Sequence, residues 1–169
     1  MLLVVAAAAA GAGAGGALGG GAAGDREQGR LSGGLARAGG AHVTRVVDGD
    51  TAILAPIGRV RLIGVDTPEV HGRRECFGAQ ASAFAERVLG GKRVRYELGA
   101  EPRDRYGRAL VYLWLSDGRL FNELLIDGGF ARPLAIAPNV RFAGRFARRA
   151  RDARAGGRGL WSQKRCRSS

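Results

Sequence analysis

Between residues 42 and 65 short apolar and β-branched runs are cut by turn residues too closely for helices to form, and this spacing most limits the fold. Residues 42–47 and 51–55 flank Asp48-Gly49-Asp50, a hairpin-type turn sequence. Residues 59–65 alternate as Arg59, Val60, Arg61, Leu62, Ile63, Gly64, Val65 and stop before Thr67-Pro68, where proline ends ladder pairing. The period then changes. Ala81, Phe84, Ala85 and Val88 fall at helical spacing across 79–89, with Gly90-Gly91 as the stop signal. Strand character returns at 92–98 and 109–115, the second carrying Val111, Tyr112, Leu113, Trp114 and Leu115. Phe121, Leu124 and Leu125 stripe a short helix closed by Gly128-Gly129, and Phe142, Phe146 and Ala150 stripe a last one. Five strands, one helix after the third and two after the fifth, predict a mainly β domain with helices: a five-stranded Greek-key barrel of the OB type plus three α-helices.

The segment upstream of this pattern cannot build a core. Residues 1–40 hold 13 of the 29 glycines and 12 alanines. Residues 2–24 carry no charge, and Leu2 to Val5 followed by Ala6 to Ala10 resemble the apolar region of a secretory signal, with Ala10-Gly11-Ala12 among several cleavage candidates. The expected organisation is therefore a signal-like segment over 1–24, a flexible linker over 25–40 and a folded domain over 41–169. Export is expected, with an uncleaved membrane anchor as the alternative. The domain carries 24 basic and 13 acidic residues, a net charge of +11. That charge suits a polyanion and argues against cationic substrates.

Zinc and histidine chemistry are disfavoured: the two histidines and two cysteines show no Cys-x-x-Cys or His-x-x-x-His spacing. P-loop and nucleophile-elbow patterns are missing from the sequence. The scarce carboxylates instead gather in the two loops around strands two and three, as Asp48, Asp50, Asp66 and Glu69. Those loops meet at one end of the barrel. Converging carboxylates repel unless a cation lies between them, and an oxygen-only donor set favours Ca²⁺ or Mg²⁺. Arg61 in an apolar strand and Arg108 after a Tyr-Gly turn add planar donor forks, which match phosphate oxygens.

The strings Val47-Asp48-Gly49-Asp50-Thr51, Arg61-Leu62-Ile63-Gly64-Val65-Asp66-Thr67-Pro68-Glu69, Asp104-Arg105-Tyr106-Gly107-Arg108 and Gly159-Leu160-Trp161 closely resemble the thermonuclease family, typified by staphylococcal nuclease. Taken singly, Asp-Gly-Asp reads equally well as a hairpin turn and Asp66-Thr67-Pro68-Glu69 as a cap at a helix start. Four motifs in order, spanning about 42–163, make the likeness specific. The resemblance implies a five-stranded OB barrel with three helices and a Ca²⁺-dependent endonuclease acting on DNA and/or RNA, whose attack cleaves the 5′ P–O bond and leaves 3′-phosphate ends. It further implies that Asp50 and Asp66 are metal ligands together with the Thr67 carbonyl, with Asp48 supporting them from behind. Glu69 would orient or deprotonate the attacking water, Arg61 and Arg108 would hold the scissile phosphate, and Tyr106 would contact a substrate phosphate. Outside the resemblance, Arg105 reads equally well as a phosphate contact or as an exposed loop charge. One departure stands out: Leu134-Ala135-Ile136-Ala137 precedes Pro138-Asn139 where the family's well-studied member has a tyrosine-rich segment, which weakens base stacking.

The competing reading is a non-catalytic OB-type nucleic-acid-binding module, against which the retained Asp50, Asp66, Glu69, Arg61 and Arg108 argue. No protein partner is evident and a monomer is expected. Cys76 and Cys166 are the only cysteines, and in an exported chain an even count without metal spacing predicts a disulfide between them.

Overall fold

The computed structural model describes residues 37–70, 72 and 75–162. The expected signal-like segment over 1–24 lies outside them, as does most of the expected linker. Among the described residues the order is β1 (Ala38–Val46), β2 (Thr51–Ala55), β3 (Gly58–Leu62), β4 (Val65–Asp66), α1 (Gly78–Leu89), β5 (Arg93–Arg103), β6 (Ala109–Trp114), α2 (Phe121–Asp127), β7 (Arg132–Pro133), α3 (Ala143–Ala155) and a 3₁₀ turn at Gly159–Trp161. Strands β1-β2-β3-β6-β5 close into a barrel. The β3–β6 pair is parallel and the other barrel pairs are antiparallel. This is the OB-type barrel with three helices that the hydrophobic pattern predicts. β1 starts at Ala38, three residues before the expected domain start at Ala41, because it pairs with β5 as far as Glu97.

Period-two alternation places Val43, Val60, Val111 and Leu113 in the barrel interior at 0% exposure. Each such side chain contributes about 1.5–3 kcal/mol by leaving water. α1 buries Ala81, Ala85 and Leu89, a stripe at every fourth residue, while α2 and α3 bury Phe121, Leu125, Ile126 and Phe146 against each other and the barrel. Two polar clamps hold these layers. Asn122 is fully buried; its Oδ1 accepts from the Leu113 N–H at 3.0 Å and its Nδ2 donates to the carbonyls of Ile63 at 2.9 Å and Val111 at 3.3 Å. Glu123 accepts from Arg145 Nε at 2.6 Å and Arg149 Nε at 3.1 Å, tying α2 to α3.

The third strand is shorter than its alternation suggests. It ends at Leu62 because Gly64 takes φ 80°, and a Cβ there would lie 2.7 Å from the Phe146 ring. Val65 and Asp66 therefore leave the barrel and pair with Pro133 and Arg132 in a separate two-stranded ribbon, which the Leu134 N–H extends by donating to the Gly64 carbonyl at 3.0 Å.

Candidate active site

Asp50 is fixed by two loops at once. Asp48 Oδ1 accepts from the Asp50 N–H at 3.0 Å, which closes the Asp-Gly-Asp turn. Across the gap, Asp50 Oδ2 accepts from Thr67 N–H at 2.8 Å and from Thr67 Oγ1 at 2.9 Å, and its Oδ1 accepts from Thr51 Oγ1 at 3.2 Å. Gly49 makes this approach possible, since a Cβ there would stand 2.6 Å from Thr67 Cγ2. Asp50 and Thr67 are consequently buried polar residues, at 6% and 7% exposure, with their groups satisfied.

Arg61 opposes Thr51 across β2–β3 and reaches both acidic loops. Its Nη2 donates to Asp66 Oδ1 at 3.2 Å, and its Nη1 forms an ion pair with Asp50 Oδ1 outside hydrogen-bonding geometry. Burial lowers the pKa of this guanidinium and the charges of Asp66, Asp48 and Glu69 oppose that effect, while Arg108 adds to it. Arginine starts so high that Arg61 remains a cation at neutral pH. The same balance shows that Asp48, Asp66, Glu69 and Arg108 all converge electrostatically on one side chain.

Arg108 is oriented by a residue that motif reading passed over. Asp104 Oδ2 accepts from Arg108 Nε at 2.6 Å, and its Oδ1 accepts from the backbone N–H groups of Tyr106 at 2.9 Å and Arg108 at 3.0 Å. Burial would raise the Asp104 pKa, but these hydrogen bonds from Arg108 and Tyr106 outweigh it and hold the carboxyl below its ordinary range. The available signal was its place four residues before Arg108, with Gly107 at φ 78° closing the turn. Tyr106 is 68% exposed and its ring packs against two guanidinium groups, 4.8 Å from Arg105 and 5.4 Å from Arg108.

Arg61, Arg108, Arg105, Tyr106 and Asp104 line a cleft of about 460 Å³ whose other wall includes Leu134, Ile136 and Asn139. That wall is also anchored by a residue without an expected role. Asn139 Oδ1 accepts from the Glu101 N–H at 3.0 Å and its Nδ2 donates to the Glu101 carbonyl at 2.9 Å, so the side chain imitates a strand partner for β5. Ile136 is 61% exposed, leaving an aliphatic surface beside the arginines.

Asp48, Asp50, Asp66, Thr67 and Glu69 are not among the residues that line this cleft; the first four lie beside it around Arg61. Glu69 is exposed and borders a neighbouring concavity with Val47, Val70, Glu75, Ala79 and Ser82, where its N–H donates to Glu75 Oε2 at 3.3 Å. Cys76 sits in the turn before α1, and Cys166 lies outside the described residues. Among the described residues no three His, Cys, Asp or Glu side chains are grouped to hold a metal ion. The oxygen donors that do converge are two carboxylates, Asp50 and Asp66, close enough for one guanidinium to reach both.

Comparison with known proteins agrees with this arrangement. The Staphylococcal nuclease homologue family matches residues 59–163. The chain is 45% identical over 106 residues to a thermonuclease of Staphylococcus intermedius, covering 59% of this chain and 62% of that protein. It is 38% identical over 126 residues to a thermonuclease of Staphylococcus hyicus, covering 71% and 74% respectively. Endonuclease YncB of Bacillus subtilis is 30% identical over 127 residues, covering 70% of this chain and 60% of that protein. With the barrel, the acidic loop pair and both arginines in place, the chain belongs to the staphylococcal nuclease family.

Proposed function

We propose that this protein is an endonuclease that hydrolyses phosphodiester bonds of DNA and/or RNA with the help of a divalent cation. The observation that carries the reading is the meeting of Arg61 and Arg108 in one cleft beside the paired carboxylates Asp50 and Asp66. A phosphodiester carries negative charge that grows on its equatorial oxygens during attack, and two fixed guanidinium forks stabilise that charge better in the transition state than in the ground state. Asp104 holds one fork and the acidic pair holds the other. Glu69 is assigned the orientation and deprotonation of the attacking water, from the edge of the site.

The donor chemistry fits a hard cation. Asp50 and Asp66 already share one positive charge, that of Arg61, and the donors around them are oxygens. Asp50, Asp66 and the Thr67 carbonyl would hold Ca²⁺, with water completing the shell and Asp48 fixing the turn behind Asp50. Bound there, the ion would supply charge neutralisation of the phosphodiester. The family likeness supports attack with cleavage of the 5′ P–O bond and 3′-phosphate products. Tyr106 and Arg105, exposed on the cleft wall, are assigned to a neighbouring substrate phosphate.

Export is part of the same proposal, supported by the uncharged run over residues 2–24; among the described residues no helix is long and apolar enough to cross a membrane. A Cys76–Cys166 disulfide fits an oxidising compartment, and the fact that Cys76 is not a free thiol supports it. Intact mass of alkylated, non-reduced protein tests the bridge: addition of two labels without reduction excludes it.

A plasmid-cleavage assay tests the function. Cleavage is expected with Ca²⁺, and is expected to vanish in excess EDTA and in Asp50→Ala. Full activity in EDTA would falsify the metal requirement, and binding without cleavage under every metal condition would favour the non-catalytic module.

A further inference from the structure

β3 carries more than one outward arginine. Val60 and Leu62 point into the barrel at 0% and 3% exposure, so Arg59 and Arg61 share the outer face, about 7 Å apart along the strand. Arg59 is paired across β2–β3 with Ile53, and Ile53 is paired across β1–β2 with Arg45. Arg45, Ile53 and Arg59 thus form one rung across three strands, on the face that Arg61 occupies at the cleft. Arg45 and Arg59 are exposed. Neither has a carboxylate partner among the described residues, unlike Arg61, Arg108, Arg119, Arg141, Arg145 and Arg149.

Like charges gathered on one sheet face without an acidic neighbour repel one another, so this rung is stabilised by an anion that spans it. A row of cations leading out of a phosphate-binding cleft fits a repeating anion, and the stride along β3 suits successive phosphates of an extended strand. A flexible single strand can follow the path from a recessed site onto a barrel face, which a stiff duplex cannot do without bending. We propose that Arg59 and Arg45 continue the phosphate-binding line that starts at Arg61 and hold the backbone of a single-stranded nucleic acid as it leaves the cleft. The proposal rests on the nuclease reading only in taking the cleft to hold a phosphate.

The test is fluorescence anisotropy of a labelled oligothymidylate of roughly twelve nucleotides, within the span of an OB surface, and of a labelled dinucleotide, titrated in EDTA over a series of salt concentrations. Wild-type protein is compared with Arg45→Gln/Arg59→Gln and with Arg45→Lys/Arg59→Lys. A charge-matched control, Arg148→Gln/Arg151→Gln, alters exposed arginines of α3 that share no strand face with the cleft. For the long probe the Gln pair is expected to flatten the slope of log affinity against log salt by about 1.4, the value for two lost phosphate contacts at 0.7 each. The Lys pair retains the slope, the α3 control changes it by less than half as much, and dinucleotide affinity moves by less than about twofold. An unchanged slope, an equal effect of the α3 control, loss of the slope in the Lys pair, or equal loss of dinucleotide binding overturns the proposal. Cleavage of the long probe by wild-type protein in Ca²⁺, measured alongside, separates the two readings. A full salt effect at the rung without cleavage rejects the nuclease and keeps the rung, whereas cleavage without a rung effect rejects the rung alone.

Discussion

Alanine at position 49 probes how the acidic pair is assembled. The added methyl group would stand 2.6 Å from Thr67 Cγ2 and 2.8 Å from Thr67 Oγ1. Thr67 is buried and held by Asp50, so it has little room to turn away. The φ of Gly49 lies outside the left-handed range, so alanine meets no backbone strain of that kind and the contact is isolated. Overpacking of this sort costs about 1–3 kcal/mol. Relief requires the 48–50 turn to lift from Thr67, which stretches two hydrogen bonds to a charged carboxylate, each contributing about 1.5–3 kcal/mol. Partial loss of these brings the expected destabilisation to roughly 3 kcal/mol, or roughly 10 °C in Tm for a domain of this size. The effect on kcat/KM should be larger, about 10²-fold, because Asp50 itself moves by an appreciable fraction of an ångström. Thermal melts followed by circular dichroism and initial rates of plasmid cleavage in saturating Ca²⁺ measure the two effects. Thr67→Ser removes the clashing Cγ2 and keeps Oγ1, so the double variant should recover part of both, with a coupling of about 1 kcal/mol in the stability cycle. Wild-type melting and rate in Gly49→Ala, or a cycle without coupling, would refute the claim that Thr67 packing positions Asp50.

Asp104→Asn weakens the charged bond that aims Arg108, and kcat is expected to fall roughly tenfold, less than the 10² to 10³ expected on loss of a whole phosphate donor in Arg108→Ala. Equal rates for Asp104→Asn and wild type would show that Arg108 orients itself. The lowered Asp104 pKa also sets a pH window: its stabilisation is complete above the unfolded value of about 3.9 and is lost as pH falls toward the lower folded value. Urea titrations between about pH 5 and pH 2 should therefore show wild type losing more stability than Asp104→Asn; parallel curves exclude the effect. Asn122→Ala strands the Leu113 N–H and the Ile63 carbonyl, at about 1–3 kcal/mol for each buried group. A drop of less than about 1 kcal/mol in urea unfolding would mean that the clamp contributes little.

Local chemistry made the barrel legible. Strands such as Thr51–Ala55 and Ala109–Trp114 carry period-two or β-branched runs, and α1 ends where Gly90 stops it. What escaped notice depends on contacts far along the chain. β7 contains Pro133, which argues against a strand locally, yet it pairs with Val65 because the ring of Phe146 leaves space only for a glycine at 64. β5 runs on through Pro102 to Arg103, beyond the expected end at 98, where the Asn139 side chain takes over hydrogen bonds of Glu101. The candidate site divides in the same way. Asp50, Asp66, Arg61 and Arg108 could be picked out because their residue types announce charge chemistry, whereas Thr67 entered only through the family resemblance. Asp104, Asn139 and Gly49 act by holding other groups, and only the folded chain reveals whom they hold. Glu69, exposed beside Val47 and Glu75, acts on Arg61 through its charge rather than by lining the same wall.

The ribbon made by Val65–Asp66 and Arg132–Pro133 gives the cleft an unusual mechanical property. One end of it carries an acidic side chain of the Arg61 cluster, and the other runs directly into Leu134 and Ile136 on the facing wall. The opposing walls are thus stitched to each other by main-chain hydrogen bonds as well as resting on a common barrel. A lever of this kind transmits length changes: inserting or deleting a residue within 132–134 shifts the register of Pro133 against Val65, and the displacement reaches Asp66 directly. Loop grafts intended only to alter substrate taste would accordingly alter the acidic cluster too, unless the graft starts after Leu134, whose N–H fastens the stitch to Gly64.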